Sequence, residues 1–171
     1  MVTTIILLMV FGLMLLVGKL SKRNTGAVAR AGNIAMCVML VFTGISHFYF
    51  TRGMALMMPD FLPAKVFLVY ATGVLEILLG LGLCFARTRK VSSKLLILLF
   101  ILFLPANITA ALKQVNMQTA DFTGPGLSYL WFRIPLQLFY IAWVYFFGLS
   151  PQGAVALTPV AGNERLPATE F

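Results

Sequence analysis

Five polar side chains interrupt stretches that are otherwise apolar: His47, Glu76, Asn107, Arg133 and Gln137. Glu76 lies about midway along Ala64 to Ala86, AKVFLVYATGVLEILLGLGLCFA. That run is long enough to cross a ~30 Å hydrocarbon core, which takes about 20 helical residues. A charge at that depth costs roughly 3 kcal/mol on insertion scales, whereas each Val, Ile, Leu or Phe returns about 0.3 to 0.6 kcal/mol. Insertion wins, but the carboxylate must either be protonated or face a partner inside a helix bundle. Arg133 is the expected partner, because a guanidinium reaches along its stem and can grip a carboxylate with two hydrogen bonds. Breaking such a pair typically costs about 3 to 5 kcal/mol. The pair could serve a ligand or only fix helix register, and the residues leave both readings open.

The elements that must carry these groups follow from composition. Of 171 residues, 60% are hydrophobic and only 11% charged, which a soluble domain of this size could not hide. One polytopic membrane bundle accounts for the whole length. The net charge of +8 comes from Lys and Arg gathered in short runs between apolar segments, as expected for topology signals beside anionic lipid and not for nucleic-acid binding. Cys37 and Cys84 share no motif and fall at different expected depths, so no disulfide is expected. One histidine and no cysteine pair also argue against a metal site.

In chain order, residues 1–20 read as an uncleaved amino-terminal anchor. No positive charge precedes the apolar run, and Lys19, Lys22, Arg23 and Arg30 follow it. It has no strongly polar residue and is expected to face lipid at the bundle edge. The second helix, Ala27 to Phe50, aligns Asn33, Cys37, Leu40, Gly44 and His47 on one face at spacings of four and three. Thr51 to Pro63 is too short to span, yet greasy with methionine, and reads as an interfacial cap with Asp60 and Arg52 solvated. The third helix is the Glu76 segment, with Thr72, Gly73 and Gly80 on the same face. The fourth covers Ser93 to Lys113 and carries Pro105 and Asn107. The fifth covers Ser128 to Gly148, with Arg133, Gln137 and Tyr140 in one stripe. Pro105 and Pro135 should free the carbonyls of Ile101 and Trp131. Residues 149–171, with Pro151, Pro159 and Pro167, read as a poorly ordered tail.

The basic residues concentrate at 18–30 and 87–94, which predicts five spans with the amino terminus outside and the tail in the cytoplasm. On that topology the five polar groups share the outer half of the membrane. Asn107 and Arg133 stand roughly 6 to 8 Å outward of Glu76 and Gln137, at about 1.5 Å per residue. Asn107-Ile108-Thr109 matches a glycosylation sequon, but inside a span it is not an acceptor.

Residues 27–148 resemble the DoxX-like family of small bacterial integral membrane proteins. The likeness rests on Gly44-x-x-His47-Phe48, Met57-Met58-Pro59 with Leu62-Pro63, Thr72-Gly73-x-x-Glu76 leading to Gly80, Pro105-Ala106-Asn107, and Arg133-x-Pro135-x-Gln137. It implies an all-α membrane protein: a four-helix transmembrane bundle in the bacterial cytoplasmic membrane, with the amino-terminal helix as an addition. Some members look like subunits of quinone-linked sulfur oxidation systems, and others associate with oxidative-stress enzymes. The expectation is therefore a redox-associated membrane subunit, non-catalytic by itself. A quinone or another amphipathic molecule would sit among His47, Glu76, Asn107, Arg133 and Gln137. His47, Asn107 and Arg133 would donate hydrogen bonds to its carbonyls, with Tyr70 or Tyr140 alongside. A membrane or soluble redox protein would be the partner, and a homo-oligomer is compatible. The alternative is a non-catalytic scaffold or assembly factor. A transporter fits less well, since five spans without a repeat give no route to alternating access unless chains associate.

Overall fold

The computed structural model describes residues 2–20 and 27–150. The expected tail falls outside the described residues except for Leu149 and Ser150, and so do Lys22 and Arg23 of the basic run. The described chain is all-helical: α1 (Val2–Leu20), α2 (Ala27–Tyr49), α3 (Thr51–Met57), α4 (Lys65–Cys84), α5 (Arg89–Leu102), α6 (Leu104–Leu112) and α7 (Ser128–Val144), the last ending in a π-helical turn (Tyr145–Leu149). Four helical stretches are long and apolar enough to cross a membrane: Ala27–Tyr49, Lys65–Cys84, Arg89–Leu112 and Ser128–Leu149.

Of the two expected helices that carry a proline, one is broken and the other is not. The fourth starts at Arg89, not Ser93, and breaks at Phe103 into α5 and α6. Pro105 has no N–H to give to Ile101 and its ring crowds that carbonyl, so the helix restarts with proline in its first turn, where no donor is needed. In α7, Pro135 stays within a continuous helix.

The core is formed where α2 lies against α1 and α4, with α5 and α7 closing the far side. Leu7, Met36, Leu40, Leu83, Leu96 and Val144 are almost wholly buried there. Here α1 departs from expectation. Its Leu8, Met9, Leu13 and Leu16 are exposed, as a lipid-facing helix requires, but Leu7 is 0% exposed and Phe11 meets the Trp143 ring edge-on at 4.9 Å. Thr3 and Thr4 also reach the Tyr140 hydroxyl, at 3.2 and 2.9 Å.

Each end of the bundle is tied by polar contacts. At one end Trp143 Nε1 donates to the Gly32 carbonyl and Asn33 Nδ2 to the Phe147 carbonyl, an acceptor near the end of its helix without an intrahelical donor. Arg89, buried, donates from Nε to the Leu83 carbonyl, placing a cation at the negative end of α4. At the other end α3 and the 113–127 loop form a lid. A Cβ on Gly53 would collide with the Met117 carbonyl, so only glycine allows that approach. Met57, Ala110 and Val115 make a small core beneath. Asp60 is exposed yet not simply solvated: it bonds Lys65 at 3.1 Å and Lys113 at 2.6 Å, pinning the α3–α4 connection to the end of α6.

Candidate functional site

The close approach of α2 and α4 determines where His47 can stand. A Cβ on Gly44 would lie 2.7 Å from the Gly73 carbonyl oxygen, and one on Gly73 only 2.7 Å from His47 Cβ. A Cβ on Gly80 would touch Leu40 Cβ at 3.0 Å. Small residues at these positions let the two backbones meet, as in membrane helix pairs generally. The imidazole is thereby laid across the face of α4, above Thr72 and Glu76.

His47 Nδ1 lies 3.0 Å from the Val69 carbonyl. A carbonyl only accepts, so Nδ1 carries a proton and Nε2 turns toward Glu76. The Nε2–Oε1 distance is 3.6 Å. A bare imidazole nitrogen facing a bare carboxylate would be repulsive, so one proton resides in the pair, on Nε2 or on the carboxyl. In either arrangement the pair as a whole is neutral, which suits an apolar surrounding. Glu76 is 4% exposed, and its Oε2 has no hydrogen-bond partner.

Here the structure corrects the expected ion pair. Among the described residues the cationic neighbour of Glu76 is His47, and no Glu76–Arg133 contact falls within 4.0 Å. Arg133 instead donates from Nε to the Tyr129 hydroxyl, one turn earlier on α7, and its guanidinium carbon sits 5.2 Å from the Tyr129 ring centre. The reason is local: an i, i+4 neighbour can satisfy an arginine without any inter-helix geometry.

Across from the pair, the break in the fourth helix sets up a second polar chain. Gln137 Nε2 donates to the Phe100 carbonyl, one residue before the Ile101 carbonyl expected to be freed. Since that carbonyl only accepts, the Gln137 amide is oriented, and its Oε1 accepts from Asn107 Nδ2 at 3.0 Å. Asn107 keeps its Oδ1 and one N–H.

All five residues line one cavity of about 220 Å³. Thr43, Ser46 and Thr72 add hydroxyls, and Tyr140 closes one side with Thr3 of α1. Met54 and Met57 of α3 and Met58 just after it, together with Met117 of the loop, roof it. Sequence reasoning missed Thr3 and Thr4, whose only signal was being the polar residues of an otherwise oily helix. Tyr70 is not at the cavity; it stacks on Phe48 at 5.5 Å on the outer surface. Cys37 and Cys84, expected at different depths, are neighbouring free thiols, because antiparallel α2 and α4 bring an early residue of one beside a late residue of the other. Among the described residues no group of three or more His, Cys, Asp or Glu is placed to hold a metal.

The family described as "Domain of unknown function (DUF8561)" matches residues 36–148, well over half of the chain. The chain belongs to this family. The match runs from the middle of α2 into the π-helical turn, taking in all five cavity residues and leaving α1 outside. No curated protein and no solved structure matches the chain.

Proposed function

We propose that this member of the family is a redox-associated subunit of a bacterial cytoplasmic membrane, related to the DoxX-like proteins, whose cavity holds the ring of a quinone or a similar amphipathic molecule. The observation that carries this reading is the cavity itself: a largely apolar chamber with a few convergent polar groups, including a buried carboxyl whose Oε2 has no hydrogen-bond partner among the described residues. Its size is suitable. An apolar cavity of about 150 Å³ accepts benzene, so one of about 220 Å³ has room for a substituted six-membered ring. The methionine roof suits such an occupant, since thioethers adapt to irregular apolar shapes and pack well against aromatic rings.

In this reading α2, α4, α5–α6 and α7 form the four-helix core and α1 is an added transmembrane element. The family match that begins at residue 36 supports that division. The amino terminus lies outside and the carboxyl terminus in the cytoplasm, on the distribution of Lys and Arg. The chain supplies binding and orientation, while a partner redox protein supplies or removes electrons. Gentle extraction of the intact protein followed by mass spectrometry of bound small molecules tests the reading. The expected result is a co-purifying quinone-class molecule. Its absence, together with failure of an added short-tailed benzoquinone to bind, would overturn the proposal.

A further inference from the structure

The donors and acceptors around the cavity are unequally matched, and the imbalance bears on which form of a ring-headed ligand fits. His47 spends its Nδ1–H on the Val69 carbonyl. Gln137 gives one N–H to the Phe100 carbonyl and fills its oxygen with Asn107 Nδ2. Thr43 and Ser46 can return their protons to the carbonyls of Leu40 and Phe42, at 3.0 and 2.9 Å. Thr72 does the same to Leu68 at 2.8 Å. What these bonds leave buried and unmet at the cavity is an acceptor, Glu76 Oε2. Glu76 Oε2 receives no hydrogen bond from the described residues, its Oε1 facing His47 Nε2 at 3.6 Å, and Asn107 Oδ1 has no donor among them either. Arg133 is the chief remaining donor, because its Nε alone is taken by Tyr129.

A ligand presenting only carbonyl oxygens would leave Glu76 Oε2 as it is, buried and without a donor, a state that carries the desolvation cost of an unmade bond to a charged or strongly polar group. A ligand presenting a ring hydroxyl would meet that need. We infer that the cavity favours the hydroxylated, reduced form of its ligand, a hydroquinone-class headgroup whose hydroxyl donates to the Glu76 carboxyl. The His47–Glu76 pair then stands as the acceptor for that hydroxyl proton. When the O–H bond breaks, its proton joins the one already in the pair, the pair becomes singly positive and the ligand oxygen singly negative, with Arg133 on the cavity wall to balance it. This inference rests on reading the cavity as a site for a ring-headed molecule.

The experiment uses the full chain in lipid nanodiscs without oxygen, titrated separately with a decyl-tailed 1,4-benzoquinone and with its hydroquinone. The hydroquinone should bind tighter by about tenfold, the scale of one hydrogen bond to a charged group. Glu76→Gln should remove most of that preference, bringing hydroquinone affinity down to within about threefold of the quinone's in the same variant, a difference too small to represent a bond of that kind. Infrared difference spectra of the unsubstituted protein should show the carboxyl band of Glu76 shifting with the hydroquinone and not with the quinone. That measurement decides the matter even if the variant fails to fold. Equal affinity for both forms, or a preference that survives Glu76→Gln, overturns this inference while the pocket stands. Binding of neither form overturns both.

Discussion

A carboxyl held away from water needs a proton or a neighbour, and for Glu76 that neighbour is His47. The difference from the expected Arg133 pairing has measurable consequences. A double-mutant cycle between His47→Ala and Glu76→Ala, read from unfolding in detergent, should show coupling of about 1 to 3 kcal/mol, because each single change leaves the other group buried without its partner. The cycle between Arg133→Ala and Glu76→Ala should be additive within about 0.5 kcal/mol, as for residues not in contact. Coupling in the second cycle and none in the first would restore the original pairing. Residue types and helical spacing marked Glu76, His47, Asn107, Arg133 and Gln137 as facing protein. They could not assign partners, because Arg133 had two ways to be satisfied and only one required a second helix.

At the scale of elements, the site depends on two departures from regular packing. Gly44 and Gly73 bring α2 and α4 together closely enough for His47 to overlie Glu76. Gly73→Ala should therefore push His47 aside and cost about 1 to 3 kcal/mol, the usual penalty for forcing a group into a filled contact. Detergent-resistant thermal unfolding checks it, and an unchanged midpoint would mean the helices have slack. The second departure is the break at Phe103. Pro105 was visible in the sequence, and so was the prospect of a freed carbonyl beside a polar side chain. Which carbonyl Gln137 would take was not visible, because that depends on how α5 and α7 sit against one another.

For the whole molecule, stability of the lid should vary with pH. The Asp60 carboxyl is held below its ordinary value of 3.8, first by Lys113 and then by Lys65. The unfolded chain thus binds this proton more readily than the folded one, so the contribution is present above about pH 4 and fades as pH falls below it. Thermal unfolding across pH 3 to 6 should show this loss, weaker in high salt, and Asp60→Asn should flatten that part of the profile. A profile unaltered by Asp60→Asn would mean that the lid is held by its apolar contacts alone.

What the chain determined by itself is set by transfer between water and hydrocarbon: the four of the five stretches expected to span that are helical and long and apolar enough to do so, and the few positions that can be polar only if they face inward. Those depend on residue type and periodicity, and both can be read along a line. The tertiary structure alone decided which donor meets which acceptor: His47 with Glu76, Asn107 with Gln137, Arg133 with Tyr129, and a lid of methionines over the chamber they enclose. Hydrogen bonds and close helix contacts are fixed over a few tenths of an ångström, and that precision exists only once several helices have chosen their rotation and height together.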